Sequence, residues 1–343
     1  MKDSTLVEIS VIMPVFNTKI SYLRKAIDSV LSQTFADFEF LILNDSPENK
    51  KLRAAILEYD DKRIKFFENG ENIGIPKSYN KLLNMASGKY IALMNHDDIM
   101  IRNRLAKQFR YLEKHPEVGL LGTAYKKFGE INRFRSIVNP LSHEEICAYL
   151  LFRSPIHNPT IMLRREIAEK YNIRYNENFI SLNDRQLCYE FSKYSKLTNL
   201  PDVLYRYRFH HDMTSKVHKS VIRHEREMFH KLWFAYNNID LPQNEIEVFD
   251  NYTTYGRNKI CDLSILRTVL ETLEKLSEIN KEKQIVDSEV FDRVCAIYYR
   301  KRCLSALVHG HIDIAQFVNE TDLPVNKTLL LALNMILGWK KDL

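Results

Sequence analysis

Two adjacent aspartates, Asp97 and Asp98, follow the apolar run Tyr90 to Met94, with Asn95 and His96 between. Paired carboxylates leaving a buried strand repel one another unless something positive neutralises them. Mg²⁺ or Mn²⁺, held through one or two carboxylates plus substrate phosphates, would do so. An exposed turn with Asp98 capping the next helix is the plainer use of the same residues. A second pair, Asn183-Asp184, heads a segment carrying Leu187 and Phe191. Alone, an aspartate there reads first as a helix cap. As a catalytic group it could take a proton from a hydroxyl during bond formation. The third cluster is Tyr205-Arg206-Tyr207-Arg208-Phe209-His210-His211, followed by Thr214-Ser215. Arginines and imidazoles at a strand end can grip a diphosphate or complete a metal site, although an edge strand with solvated charges has the same composition. The fourth pairs Pro14-Val15-Phe16-Asn17 with Asn44-Asp45-Ser46. A strand-end carboxylate can bind a base or ribose, and the next helix N-terminus favours phosphate, while turn-making is the common alternative.

Other chemistries lack their residues. None of the nine glycines forms a G-x-G, and no GxxxxGK[ST], HExxH or GxSxG is present. The dinucleotide fingerprint, the phosphate loop and the obvious zinc-protease and serine-hydrolase signatures are therefore missing.

The elements that must position these clusters alternate. Apolar runs of strand length fall at Ile9 to Phe16, Phe38 to Leu43, Ile64 to Phe67, Tyr90 to Met94 and Val118 to Leu121. Between them Leu23, Ile27, Val30 and Leu31, then Leu52, Ile56 and Tyr59, then Tyr79, Leu82, Leu83 and Ala86, then Leu105, Phe109 and Leu112 recur at helical spacing. Repeated β-α units with apolar strands imply a parallel sheet covered on both faces, with ligands beyond the carboxyl ends of its strands. The polar clusters fall at those ends. Further on, Ser142 with Glu145 suits a capping box opening a helix through Phe152. Strands are expected at Pro159 to Leu163 and Val203 to Phe209, around a helix with Leu187, Phe191 and Tyr194. Past residue 218 the strand signals fade. Phe229, Leu232, Trp233 and Tyr236 share one helical face, and Ile260, Leu263, Leu270 and Leu273 another, which suggests a helical appendage.

In their joint order the clusters resemble glycosyltransferase family 2, whose catalytic domain has the GT-A fold. The resemblance runs from about residue 7 to 216 and is carried by Val11-Ile12-Met13-Pro14-Val15-Phe16-Asn17, Ser29 to Phe35, Phe38 to Ser46, Glu71-Asn72-Ile73-Gly74, Asn80, Ala86 to Ala92 and His96-Asp97-Asp98. His157-Asn158-Pro159-Thr160, Asn183-Asp184, Leu200-Pro201 and Tyr207-Arg208-Phe209-His210 continue it. It implies an α/β, Rossmann-like, mostly parallel sheet flanked by helices. The expected catalytic domain is 1–218, with nucleotide-sugar binding in about 1–100 and the acceptor half in about 101–218, and 219–343 form an all-helical C-terminal domain. The implied reaction is an inverting transfer from a nucleotide-sugar, expected to be a UDP-sugar, with Mn²⁺ or Mg²⁺. Pro14, Val15, Phe16, Asn17 and Asp45 would line the nucleotide pocket, with Lys77 as a further contact. Asn95, His96 and Asp97 would border the ribose and diphosphate, Asp97, Asp98 and His210 would serve the metal, and Asp184 would be the general base. Two positions depart from the family pattern: Asn95 stands where an aspartate is common, and Asn183 where a glutamate often precedes the base.

Composition sets outer limits. The 343 residues are 45% hydrophobic and 27% charged, ordinary for a globular chain. A formal charge of +6 is too mild to indicate a nucleic-acid binder but suits anionic substrates. Cys147, Cys188, Cys261, Cys295 and Cys303 form no CxxC and read as scattered thiols. With no signal-like N-terminus or spanning segment, a cytoplasmic protein is expected. The apolar helical faces suggest packing on the catalytic domain or a homodimer; the alternative is that Leu329 to Trp339, followed by Lys340 and Lys341, makes peripheral contact with the inner face of a membrane. The expected acceptor is a hydroxyl of a glycan, a lipid-linked sugar or a glycoprotein, in bacterial surface polysaccharide or glycoconjugate synthesis. A non-catalytic subunit supporting a partner transferase, or a nucleotidyltransferase, are the competing readings.

Overall fold

The computed structural model describes residues 7–130, 136–210, 219–252 and 262–321. Its first unit takes in residues 1–146 and 154–225. There β1 (Ile9–Val15), β2 (Phe38–Asn44), β3 (Ile64–Glu68) and β4 (Tyr90–Leu93) alternate with α1 (Ile20–Leu31), α2 (Lys50–Leu57) and α3 (Ile75–Met85). These follow the apolar periodicity closely. β5 (Ile99–Met100), α4 (Arg104–Lys114), β6 (Val118–Gly129), β7 (Ser136–Ile137), α5 (His143–Leu150), β8 (Met162–Arg164), α6 (Arg165–Lys170), α7 (Asn183–Ser192) and β9 (Lys196–Phe209) complete the sheet and its cover.

The strand order is β3-β2-β1-β4-β8-β6-β9-β5, with β7 beside β6. β3, β2, β1 and β4 pair in parallel, as do β6 and β9. β8 runs against both β4 and β6, so β6 and β9 point the same way as β4. The sheet is thus mostly parallel, with antiparallel β5, β7 and β8. The 3₁₀ turn Asn158–Thr160 shortens the strand expected from Pro159, because Pro159 lacks the N–H a ladder needs. β1 and β2 are buried on both faces, and their Val11, Met13, Phe40 and Ile42 pack with Leu23, Ile27 and Val30 of α1.

This topology gathers the clusters. Parallel neighbours end at one edge, so the turns after β1, β2 and β4 lie side by side. β5 begins directly after Asp98 and pairs Ile99 with Arg206 and Met100 with Tyr205, which brings the end of β9 to the acidic turn. The Ser142 cap is present, its Oγ accepting from the Glu145 N–H at 3.2 Å.

The second unit comprises residues 147–153 and 226–343. Helices α8 (Lys219–Tyr236), α9 (Gln243–Tyr252), α10 (Leu263–Lys283), α11 (Ser288–Val308) and α12 (Ile314–Thr321) follow the sheet. Asp262 and Asp287 cap α10 and α11 through the N–H groups of Ile265 and Val290. On α8 the buried stripe is Phe229, His230, Trp233 and Phe234, whereas Leu232 and Tyr236 are exposed. The apolar face expected there is rotated, because buried His230 is satisfied by Asp250 and the Leu151 carbonyl. No helix among the described residues is long and apolar enough to cross a membrane. The Leu329 to Trp339 stretch with Lys340 and Lys341, together with Ile260, Cys261, His211, Thr214 and Ser215, lies outside the described residues.

Candidate active site

The turn after β1 leaves Phe16 and Asn17 exposed, beyond buried Val15 and half-buried Pro14. Asn17 adopts φ 38°, a left-handed conformation that asparagine tolerates better than most residues. Its N–H donates to Ser46 Oγ at 2.9 Å, tying the ends of β1 and β2 together. Asp45 is buried, and its Oδ1 accepts from Asn69 Nδ2 at 2.7 Å and Ile73 N–H at 2.9 Å. Its Oδ2 accepts from Gly74 N–H at 2.9 Å. Gly74 has φ 84°, which a Cβ would strain, and it starts α3. Asp45 therefore holds the Ile73–Gly74 turn, with one lone pair of Oδ2 still available. Lys77 is exposed on α3, its ammonium 3.8 Å from Glu177 and not on the acidic turn.

In the acidic turn the two aspartates have opposite fates. Asp97 Oδ2 lies 2.9 Å from His210 Nε2, and both side chains keep a little exposure, 16% and 17%. Burial alone would raise the Asp97 pKa, but the His210 contact and the charge of His96 and His210 bring it below the ordinary value. Asp98 is completely buried. Its Oδ1 accepts from Arg208 N–H at 2.6 Å, and its Oδ2 from Tyr205 Oη and Asn95 Nδ2, each at 3.0 Å. Burial first, and the Asp97 charge second, push its pKa well up. Expected beside Asp97 on a metal, Asp98 instead turns inward and knits β9 to the turn. Asn95 bridges in the same way, accepting from Tyr79 Oη at 3.2 Å while it donates to Asp98. An aspartate at 95 would set a second carboxylate against Asp98. His96 has a buried Nδ1 without a hydrogen-bond partner, and burial lowers its pKa.

The base candidate sits at the second residue of α7. Asp184 Oδ1 accepts from Ser154 Oγ at 2.8 Å and from Arg185 N–H at 2.7 Å. Burial raises its pKa to about 6, against the lowering pull of Ser154, Arg185 and the Asn158 N–H. The acidic turn and Asp184 do not touch directly. Two stacked rings, Tyr79 and Tyr175, with centroids 5.1 Å apart, connect them. Tyr79 reaches Asn95, whereas Tyr175 Oη donates to Asn158 Oδ1 at 2.8 Å. Burial raises both phenols; the Asp98 and Asp97 charges add to the effect on Tyr79, and Asp184 is among the charges adding to that on Tyr175.

The residues present fit a metal that arrives with a diphosphate. Asp97 and His210 offer a carboxylate oxygen and an imidazole nitrogen side by side. Among the described residues no group of three or more acidic, histidine or cysteine side chains forms a cage. One or two protein ligands completed by phosphate oxygens is the usual magnesium and manganese arrangement. A buried Arg208 Nη2 without a hydrogen-bond partner lies beside them, its guanidinium 4.0 Å from the Tyr22 ring centroid while Nε donates to the Asp97 carbonyl. That orphaned donor suits an anionic oxygen. Ser154 left no legible trace, because a lone loop serine has no periodicity or motif to mark it, and Asn158 was marked only as part of the His157-Asn158-Pro159-Thr160 stretch, without its backbone contact to Asp184.

Comparisons with known proteins agree with this architecture. Residues 10–187 match the pattern of glycosyl transferase family 2. An uncharacterised glycosyltransferase of Haemophilus influenzae is 28% identical over 350 residues, 96% of this chain and 98% of that protein. The amylovoran biosynthesis glycosyltransferase AmsE of Erwinia amylovora is 27% identical over 210 residues, covering 60% of this chain and 78% of its own. The crystal structure of S. aureus TarS 1–349 in complex with UDP-GlcNAc superposes with a TM-score of 0.59 at 17% identity, over 92% of this chain and 90% of that one. At that identity the likeness is one of fold: a mixed α/β sheet of GT-A type with helices at the C-terminus.

Proposed function

The chain belongs to glycosyl transferase family 2 and is a glycosyltransferase, and from that premise we propose that it moves a sugar, with inversion, from a UDP-sugar to an acceptor hydroxyl using Asp184 as general base. The observation that carries this reading is the raised Asp184 carboxyl, near 6, held by Ser154 at the head of α7. A base poised near the working pH is ionised enough to act and basic enough to take a proton. Asp184 removes the proton as the hydroxyl oxygen attacks the anomeric carbon, and the bond to the nucleoside diphosphate breaks on the opposite side.

Asp97 and His210 would hold the divalent ion, Mn²⁺ or Mg²⁺, with Arg208 beside them facing the diphosphate. The bound ion supplies electrostatic stabilisation of the charge that develops on the leaving group. Asp98 and Asn95 fix the turn without touching the donor's phosphates. Pro14 to Asn17 and the turn held by Asp45 would line the base pocket, and His96 the ribose side, with Lys77 at the rim. The UDP choice draws support from the UDP-GlcNAc complex of TarS, and a polysaccharide or glycoconjugate acceptor from the amylovoran relative.

A panel of UDP- and GDP-sugars with Mn²⁺, read by thermal shift, tests the donor because a bound ligand raises apparent stability by mass action. UDP release from the best donor should then be Mn²⁺-dependent and lost in Asp97→Asn. A shift without turnover would identify a binding subunit instead, and pyrophosphate release from a nucleoside triphosphate a nucleotidyltransferase.

A further inference from the structure

Glu225 is a buried carboxylate that the reaction above does not use. It lies on α8 and is 1% exposed. So deep a charge is costly unless hydrogen bonds replace its water. Its Oε1 accepts from the N–H groups of Ile180 at 2.7 Å and Ser181 at 3.2 Å, and its Oε2 from Ser181 at 2.9 Å and Leu182 at 2.8 Å. Three consecutive amides thus turn onto one carboxylate. The backbone forms an anion-binding concavity there, and the chain's own side chain supplies the anion.

Those amides immediately precede α7, whose second residue is Asp184. The cap position, Leu182, has no side-chain oxygen and makes no capping bond. Asn183 Nδ2 donates to the Ile180 carbonyl at 2.9 Å, closing the same turn. The start of the helix is therefore held by a residue far along the chain. The aim of Asp184 toward Ser154 and Asn158 depends on where that first turn begins, since a side chain at the second helical position swings with the backbone angles of its neighbours.

We propose that Glu225 is a positioning residue for the general base, clamping residues 180–182 so that Asp184 faces the acceptor. This deepens, and rests on, the assignment of Asp184. Glu225→Gln keeps the size but turns an amide N–H₂ toward backbone donors, and Glu225→Asp keeps the charge but shortens the reach. Both are compared with Asp184→Asn in UDP release from the best donor of the panel with Mn²⁺, and UDP·Mn²⁺ affinity is measured by calorimetry. The expected result for both Glu225 variants is a kcat lower by about 10- to 100-fold, the cost of a small misplacement. Donor KM and UDP affinity should stay within about twofold, because a transition-state interaction alone is lost. Amide exchange at 180–182 should accelerate as well. A parental kcat, whatever the change in melting temperature, overturns the proposal, and so does a loss of kcat matched by equal loss of UDP affinity. If Glu225→Gln does not fold, Glu225→Asp carries the same expectation. Normal turnover by Asp184→Asn would instead remove the base assignment, whereas a slow Asp184→Asn beside unaffected Glu225 variants removes only the clamp.

Discussion

Removing the Ser154 hydroxyl should move the acid limb of sugar transfer toward neutral pH. As the proposed base, Asp184 must be ionised to accept a proton, so the rate should fall as pH drops through its pKa, which burial raises to about 6. At about pH 5 roughly one molecule in ten would carry the active carboxylate, whereas an aspartate at its ordinary value of about 3.9 would be more than about nine-tenths ionised. The Ser154 hydroxyl favours the ionised form through its 2.8 Å bond to Oδ1. A hydrogen bond to a charged group contributes about 1.5–3 kcal/mol, an upper limit here because water can take its place. At about 1.4 kcal/mol per pKa unit that limit is about one to two units, and with water recovering roughly half of it Ser154→Ala should raise the limb by about half a unit to one unit. The assay is kcat/KM for UDP release across about pH 4.5 to 8.5 at constant ionic strength, with UDP·Mn²⁺ binding followed over the same range. Ser154 touches Asp184 and not the acidic turn, so a limb that moves in the variant reports on Asp184. An acid limb near 4, or one that stays in place when the hydroxyl is removed while UDP binding is unchanged, would refute the reasoning.

Asp184→Asn should lose about 10²- to 10⁴-fold in transfer while keeping UDP affinity. The same variant should gain stability at neutral pH. The folded pKa of about 6 exceeds the unfolded value, so the wild-type group favours folding below about 4 and loses that contribution as pH rises through 6; roughly two units correspond to at most about 3 kcal/mol. Melting curves should show the variant's advantage at pH 8 and its disappearance near pH 4. Asp98→Ala should destabilise by about 3 kcal/mol or more, because Tyr205 Oη, the Arg208 N–H and the Asn95 amide lose a buried acceptor together, and urea titration measures it. Gly88→Ala should cost about 1–3 kcal/mol with UDP affinity unchanged, since a Cβ would lie 2.5 Å from the Ser10 backbone nitrogen near the start of β1, at the opposite end of the sheet from the site.

Much of this was legible in the residues alone, and what escaped has physical causes. β1, β2 and β4 are apolar throughout, so their carboxyl ends, and with them Asn17, Asp45 and the acidic turn, could be placed at one edge before any coordinates. Helical spacing of Leu187 and Phe191 likewise set Asp184 at a helix head. Periodicity could not distinguish Asp97 from Asp98, because which carboxylate turns inward depends on the Tyr205 hydroxyl and Arg208 N–H arriving from a strand about a hundred residues away. β6 was expected to end at Leu121 because its outer half is polar and aromatic, and β9 to begin only at Val203 because Lys196 to Asp202 carries polar residues and Pro201; pairing with each other extends both. Glu225 was invisible for a related reason. A glutamate in a charged helix looks solvated until three backbone amides are found around it.

Stereochemistry tests the proposed mechanism most directly. An α-linked UDP-sugar consumed with Mn²⁺ should give, in early proton NMR spectra before mutarotation, a product with the β-anomeric coupling, as a single displacement assisted by Asp184 requires. An initial product that keeps the α configuration would contradict a direct attack and the role assigned to that carboxylate.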